Sequence, residues 1–291
     1  MNLIQTHLDN SKNLDAFKHI PRFCYRKNFQ KVGRYNSDTN WGCCYRSAQG
    51  ILAQYFILFK NKFPQIFNSK FGQLTTYELF LDSFDSPFSI QNLAQCAVPF
   101  GIGVGNWAKP STVANSISTI MKRFNLSVVI IRDFLIQELD LEGVQYPLLL
   151  MIPGLFGLNT IDLQMTTFLK ACLCTKGSLG FVSGKKNSAY YIVGFEGDDF
   201  IYFDPHVTKV AAINLEDAKS FFELPPKKMK GKNLNPSILI GFMVENQEDL
   251  RDMLMILLTC DPTPLHLLSQ QQNELANQII DIDELDKSSN S

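Results

Sequence analysis

One long apolar stretch with helical spacing, residues 43–59, stands early in this chain. Four short apolar runs, at 181–182, 190–195, 200–203 and 238–244, stand late and are separated by Gly, Asn and Asp turns. That order limits the fold more than any other feature. Apolar residues at helical period demand a helix with one buried face, and short apolar runs between turn residues demand strands that pair. The middle of the chain fits the same pattern: Pro110-Ser111-Thr112 opens a helix running to about Phe124, 126–131 and 147–152 read as buried strands, and 163–172 reads as a helix. A helix first and strands later, with mixed connections, predicts an α+β fold.

The chain of 291 residues is 45% apolar, which is enough for a full core. The expected organisation is one domain over 19–262, a flexible lead-in over 1–18, and a mobile polar and acidic tail over 263–291. A net charge of −1 lacks the basic footprint of a nucleic-acid binder. The cysteines (Cys24, Cys43, Cys44, Cys96, Cys172, Cys174 and Cys260) are odd in number, and residues 1–10 have neither a cationic head nor an apolar run, so no secreted disulfide framework is expected. Cys172 and Cys174 form a C-x-C pair without a second pair, so no metal site is expected. The longest apolar run, 148–158, is too short to span a bilayer and is broken by Pro153. These features predict a reduced, cytoplasmic protein with no metal and no cofactor. The run Gly101-x-Gly103-x-Gly105 lacks the spacing and the Lys-Ser/Thr ending of a phosphate loop. Lys227, Lys228, Lys230 and Lys232, after Pro225-Pro226, read as a solvated loop, with contact to anionic lipid as the alternative.

Chemistry concentrates at two places. Trp41-Gly42-Cys43 sets a thiol at the start of the 43–59 helix, where unpaired N–H groups and the helix dipole favour thiolate over thiol. The same N–H groups are suited to an oxyanion formed on attack at a carbonyl. Far downstream, Asp204-Pro205-His206 places a carboxylate two residues from an imidazole, at the end of the 200–203 strand. The chain has four histidines, His7, His19, His206 and His266, and His206 alone has an acidic residue two positions away in an apolar setting. Thiol, imidazole and carboxylate are the parts of a cysteine nucleophile machine. Pro205 makes a turn as compatible as an extended segment, so spacing leaves direct contact between Asp204 and His206 open.

Five stretches, in order and spanning much of the chain, resemble the autophagins, the autophagy-related papain-like cysteine proteases. They are Tyr25 to Phe29, Ser37 to Cys43, Asn106-Trp107 to Thr112-Val113, Ser178 through Lys185-Lys186-Asn187-Ser188-Ala189 to Asp204-Pro205-His206, and Asn235 to Phe242. The resemblance implies a papain-like fold with a central antiparallel sheet and a nucleophile-bearing helix. It implies an enzyme that cuts a ubiquitin-like autophagy modifier after its C-terminal glycine and releases it from phosphatidylethanolamine. It also implies roles: Cys43 as nucleophile, His206 as general base and acid, Asp204 as the orienting carboxylate, and Tyr25 in the oxyanion hole beside the Cys43 amide. Trp107 would roof a groove that admits only small residues, with Lys185, Lys186, Asn187 and Ser188 as further substrate-binding positions. The implied partners are the precursor and lipid-linked forms of the modifier, with membrane contact transient and through that substrate only.

The chain departs from the family pattern at several positions. Cys44 follows the nucleophile position, Ser47 stands where a cysteine is frequent, no glycine precedes Pro110, and Lys186 replaces a proline. Of the two adjacent thiols, Cys43 is the one selected by the Trp-Gly-Cys alignment. The acidic segment 279–286 has no aromatic-x-x-aliphatic peptide, and Phe221 to Leu224, which fits that pattern by letter, reads as core. Two other functions remain compatible with the sequence: a modifier-binding module whose thiol no longer reacts, and a cysteine hydrolase or transglutaminase-like enzyme acting on another amide.

Overall fold

A computed structural model describes residues 17–137 and 143–268. The expected lead-in, apart from residues 17–18, and residues 269–291 of the expected tail lie outside the described residues.

The centre is a seven-stranded sheet. In chain order its strands are β3 (Val128–Ile130), β5 (Leu148–Leu155), β6 (Ser178–Lys185), β7 (Ser188–Glu196), β8 (Asp199–Phe203), β10 (Lys227–Lys230) and β11 (Ser237–Val244). They lie side by side as β10-β8-β7-β6-β11-β5-β3. Neighbours run antiparallel from β10 to β5, and β3 joins the far edge parallel to β5. The sheet is therefore mixed at one edge and antiparallel elsewhere.

Helices cover both faces, which explains the continuous apolar runs. Along β5, Leu149 and Met151 face one side, while Leu148, Leu150 and Ile152 face the other. A strand buried on both faces has no polar side to alternate with. The first face is covered by α1 (Cys43–Lys62), with α3 (Ile90–Ala97) and α4 (Pro110–Arg123) beside it; the second is covered by α5 (Met165–Cys174) and α6 (Gln247–Thr259). The helix α2 (Pro64–Phe71) continues from α1 through Phe63. Phe221 is fully buried in the first core, as its apolar sequence context predicts.

Helix α1 lies unusually close to the sheet. A Cβ on Gly50 would sit 2.4 Å from the Tyr191 ring, and Gln54 Nε2 donates to the Tyr191 hydroxyl at 2.6 Å. This close approach requires glycine and holds the N-terminal end of α1 over β7.

Two smaller sheets complete the fold. β1 (Tyr25–Val32) lies between β2 (Tyr35–Ser37) and β9 (Thr208–Val210), antiparallel to the first and parallel to the second. β4 (Leu135–Gln137) pairs in parallel with β12 (His266–Leu268), so hydrogen-bonded structure continues past residue 262.

The sequence reading missed several elements. Lys227–Lys230, read as a solvated loop, is the edge strand β10, paired with β8. Its Met229 is buried while the lysines point outward, and lysine is a common guard of exposed sheet edges. Helices α3 and α6 do carry sequence signals: Ser89 caps the first through Asn92 N, and Asn246 caps the second through Asp249 N.

Candidate active site

Cys43 is the first residue of α1, and no side chain caps that end of the helix. Its place is fixed by a buried ionic cluster that the sequence reading did not find. The backbone N–H groups of Trp41 and Gly42 donate to the Asp38 carbonyl at 3.2 and 2.8 Å. Asp38 Oδ1 accepts from Arg26 N at 2.5 Å, and Oδ2 accepts from Arg46 Nε at 2.7 Å. Arg46 Nη2 lies 2.7 Å from Asp82 Oδ1, and Asp82 Oδ2 accepts from Ala212 N at 2.8 Å. Asp38 and Arg46 are fully buried and Asp82 nearly so. A charged group taken out of water is tolerated when it is paired and hydrogen-bonded in this way. The cluster joins β1, the approach to α1, α1 itself, and the segment after β9. It therefore ties together the chain segments that carry Tyr25, Cys43 and His206.

Three groups act on the Cys43 sulfur in favour of its thiolate: the His206 ring, the Tyr25 hydroxyl and the Ala189 backbone N–H. The backbone of Asn40, which acts on the Tyr25 hydroxyl, adopts φ 74°, a left-handed conformation that asparagine tolerates. Tyr25 N donates to Pro205 O at 2.9 Å, which fastens β1 to the Asp204–His206 turn. Within that turn, the contact left open by the sequence is made: His206 Nδ1 lies 2.6 Å from Asp204 Oδ1, and His206 N donates to the same oxygen at 3.1 Å. The imidazole stands edge-on between Tyr25 and Tyr190, with ring centroids at 5.3 and 5.4 Å. Lys227 Nζ donates to Asp204 Oδ2 at 2.9 Å, so a residue of the supposed loop belongs to this site.

The electrostatics follow from this geometry. Burial alone would raise the Cys43 thiol, but the hydrogen bonds from His206, Ala189 N–H and Tyr25, with the His206 charge, bring it below its ordinary value. Burial alone would lower His206, but its bonds to Asp204 and Cys43 raise it to about 9. Asp204, although partly buried, is held well below the usual carboxylate range by His206 and Lys227. Burial and the neighbouring Cys43 raise the Tyr25 hydroxyl, so it stays a donor. The site thus favours a thiolate–imidazolium pair more than an isolated thiol and imidazole would. Cys44 has the opposite environment: it is fully buried, and desolvation together with the Cys43 charge pushes it well above the ordinary thiol value.

A narrow groove runs beside this cluster. It is lined by Trp107, Pro110, Ser183 to Lys185, Ser188-Ala189 and Asn235. Ala189 belongs both to the groove wall and to the Cys43 contacts. Lys185 and Ser188 therefore reach the groove. Lys186 and Asn187 form the exposed tip of the β6–β7 hairpin, outside the groove wall, and Lys186 lines a neighbouring concavity with Leu155 and Leu158. Among the described residues, no group of three or more His, Cys, Asp or Glu is arranged to hold a metal ion.

The peptidase C54 catalytic domain matches residues 10–255. The chain belongs to the peptidase C54 family. Cysteine protease ATG4B of Xenopus laevis is 30% identical, covering 91% of this chain and 83% of the relative. Cysteine protease ATG4A of the same organism is 30% identical over 79% and 70%, and cysteine protease ATG4B of Gallus gallus is 30% identical over 79% and 72%. The autophagin resemblance is thus a family membership, and this C54 peptidase is a cysteine protease with an α+β fold.

Proposed function

We propose that this C54 peptidase cleaves a ubiquitin-like autophagy modifier after its C-terminal glycine, both in the precursor and when the glycine is amide-linked to phosphatidylethanolamine. The observation that carries this reading is the chain of contacts from Asp204 through His206 to the Cys43 sulfur, with the Tyr25 hydroxyl and the Ala189 N–H on the same sulfur. It favours an active enzyme over a silent binding module, because a thiol kept only for packing has no need of three donors.

The steps follow from the arrangement. The Cys43 thiolate attacks the glycine carbonyl carbon, and charge moves onto the oxygen. The Cys43 backbone N–H and the Tyr25 hydroxyl receive that charge, since the hydroxyl already stands beside the attacking sulfur. His206 then gives its proton to the departing nitrogen, the C–N bond breaks, and a thioester remains on Cys43. Water attacks the thioester as His206 takes its proton, and the thiolate leaves. Asp204 holds the ring through Nδ1 and stabilises the imidazolium. The groove that Trp107 lines together with Gly184 and Ala189 admits the small residues before the cut. The enzyme acts from the cytoplasmic side, as one domain over residues 19–262. No helix among the described residues is long and apolar enough to cross a membrane.

The test incubates the purified chain with a modifier precursor extended past its glycine, beside Cys43→Ala and Cys44→Ala, with mass spectrometry of the products. Cleavage after glycine, lost with Cys43→Ala alone, is the expected result. Binding without cleavage by the wild type would support a silent module, and cleavage elsewhere would support a different amide substrate.

A further inference from the structure

The leaving group of an acyl transfer must lie where the general acid can protonate it, within hydrogen-bond reach of the imidazole. In the proposed lipid-releasing reaction, the nitrogen on His206 is that of a phospholipid headgroup, so the surface beyond His206 faces the bilayer. This inference rests on that reading.

The surface beyond His206 has an unusual composition. Val207, Val210, Ile213 and Leu215 are exposed by 49, 60, 63 and 45%. These side chains are held outward by fixed backbone. Thr208, Lys209 and Val210 pair with Tyr25, Arg26 and Lys27. Ala211 N donates to Lys27 O at 2.9 Å, Ala212 N to Asp82 at 2.8 Å, and Ile213 N to Asp217 Oδ2 at 2.9 Å. Exposed Lys27 is the cross-strand neighbour of exposed Val210, and Lys31 and Arg34 lie further along the same ribbon.

The charges sort in a consistent way. Glu223 is paired with Lys209, Glu216 with Lys219, and Asp217 is occupied by the backbone. Among the described residues, Lys27, Lys31 and Arg34 have no carboxylate partner, and Arg34 Nη2 donates to the Tyr35 hydroxyl instead. By contrast, within the run whose sequence admitted lipid contact, Lys227, Lys228 and Lys230 are each paired with an acid, Asp204, Glu196 and Asp199, and Lys232 alone is left without one among the described residues. Outward apolar side chains beside unpaired cations, continuous with a catalytic histidine, match the headgroup boundary of an anionic membrane.

We propose that the Val207–Leu215 segment and the β1–β2 ribbon form a docking face for anionic phospholipid bilayers, which sets the enzyme on the membrane with His206 toward the headgroup. Val210 and Ile213 enter the interfacial layer, and Lys27, Lys31 and Arg34 meet lipid phosphates and carboxylates.

The experiment measures co-flotation of the full chain, without modifier, on phosphatidylcholine–phosphatidylethanolamine vesicles with and without phosphatidylserine. Cys43→Ala is included so that binding is read independently of turnover. Wild type and Cys43→Ala are expected to float with phosphatidylserine-containing vesicles. Val210→Asp/Ile213→Asp should lose about tenfold in binding, as should Lys27→Glu to a lesser degree, with Val210→Ser/Ile213→Ser as the milder pair should the acidic one fold poorly. In turnover, these variants should cleave lipid-linked modifier on vesicles about tenfold more slowly and cleave soluble precursor at the wild-type rate. Wild-type flotation by the variants overturns the proposal. So does an equal fall in soluble precursor cleavage, which would make the face a site for the modifier itself, or a shift from dimer to monomer in light scattering, which would make it a subunit contact. A wild type that floats and processes precursor yet never releases lipid-linked modifier would remove the lipid-releasing half of the proposed function, a result separate from the binding one.

Discussion

A Cβ on Gly42 would lie 2.3 Å from Asp38 Oδ2, the oxygen that Arg46 holds at 2.7 Å. The residue before the candidate nucleophile is thus pressed against a buried carboxylate, and the start of α1 has one place to go. The absence of a side chain at Gly42 and the charge at Asp38 act as a single positioning device for the Cys43 sulfur.

Breaking this device should cost stability and geometry together. Asp38→Asn removes one charge from a closed cluster and leaves Arg46 buried with Asp82 alone. A loss of about 3–5 kcal/mol is expected, measured by urea unfolding. Gly42→Ala should also lower stability, because its Cβ would meet Asp38 Oδ2, Cβ and Cγ at 2.3 to 2.8 Å, and it should displace the sulfur, with at least about a tenfold fall in kcat/KM. A Gly42→Ala enzyme with wild-type kcat/KM would refute the positioning role.

The pH dependence has a definite sign. The reactive form needs Cys43 deprotonated, so activity rises with pH through its lowered value. It also needs His206 protonated to donate to the leaving nitrogen, so activity falls as pH rises through about 9. A kcat/KM profile should therefore be a bell with its alkaline limb near 9. Asp204→Asn removes the first group that raises His206, so the alkaline limb should move down and the maximum fall by about 10²–10⁴-fold. An alkaline limb unmoved in Asp204→Asn would mean that Asp204 does not set the imidazole.

The two adjacent thiols should differ sharply in reactivity. Iodoacetamide at neutral pH, followed by peptide mass spectrometry, should label Cys43 and leave Cys44 unmodified, because only Cys43 has donors that stabilise its thiolate. His206→Ala should slow Cys43 labelling without transferring it to Cys44. Preferential modification of Cys44 in the native protein would contradict the assignment.

Lys227 offers a finer test. Its ammonium holds the Asp204 oxygen not used by His206, at a half-exposed position. Lys227→Met should lower kcat a few-fold, about the scale of one solvent-screened ion pair, with KM unchanged. Lys227→Arg should restore most of that loss, and failure of the arginine to do so would separate Lys227 from the orientation of Asp204.

The strands were legible where burial leaves a local record. In β5, β7 and β11 both faces are covered, so nearly every residue is apolar and the run stands out, whereas in β6 only Phe181-Val182 does. β10 was not legible, because its one buried residue, Met229, stands among outward lysines. The ionic cluster was hidden for a related reason. Asp38, Arg46 and Asp82 are residue types that usually face water, and nothing in the sequence near any of them marks the partner that allows burial. The β6–β7 hairpin was found, but its four positions divide between groove wall and exposed tip by strand geometry alone.

The sequence by itself determined the α+β class, the family, and the presence of a helix-start thiol and a carboxylate–imidazole pair, because each is written in contiguous residues or short spacings. The tertiary structure decided which groups touch the sulfur, that Asp204 reaches its histidine across Pro205, that Cys43 and Cys44 sit in opposite environments, and that Lys227 belongs to the site. Those outcomes depend on desolvation and on hydrogen bonds between Tyr25, Cys43, Ala189 and His206. These residues lie far apart along the chain, and only the packing of α1 on the central sheet, with β1 joined to β9 and to Asp38, brings them within reach.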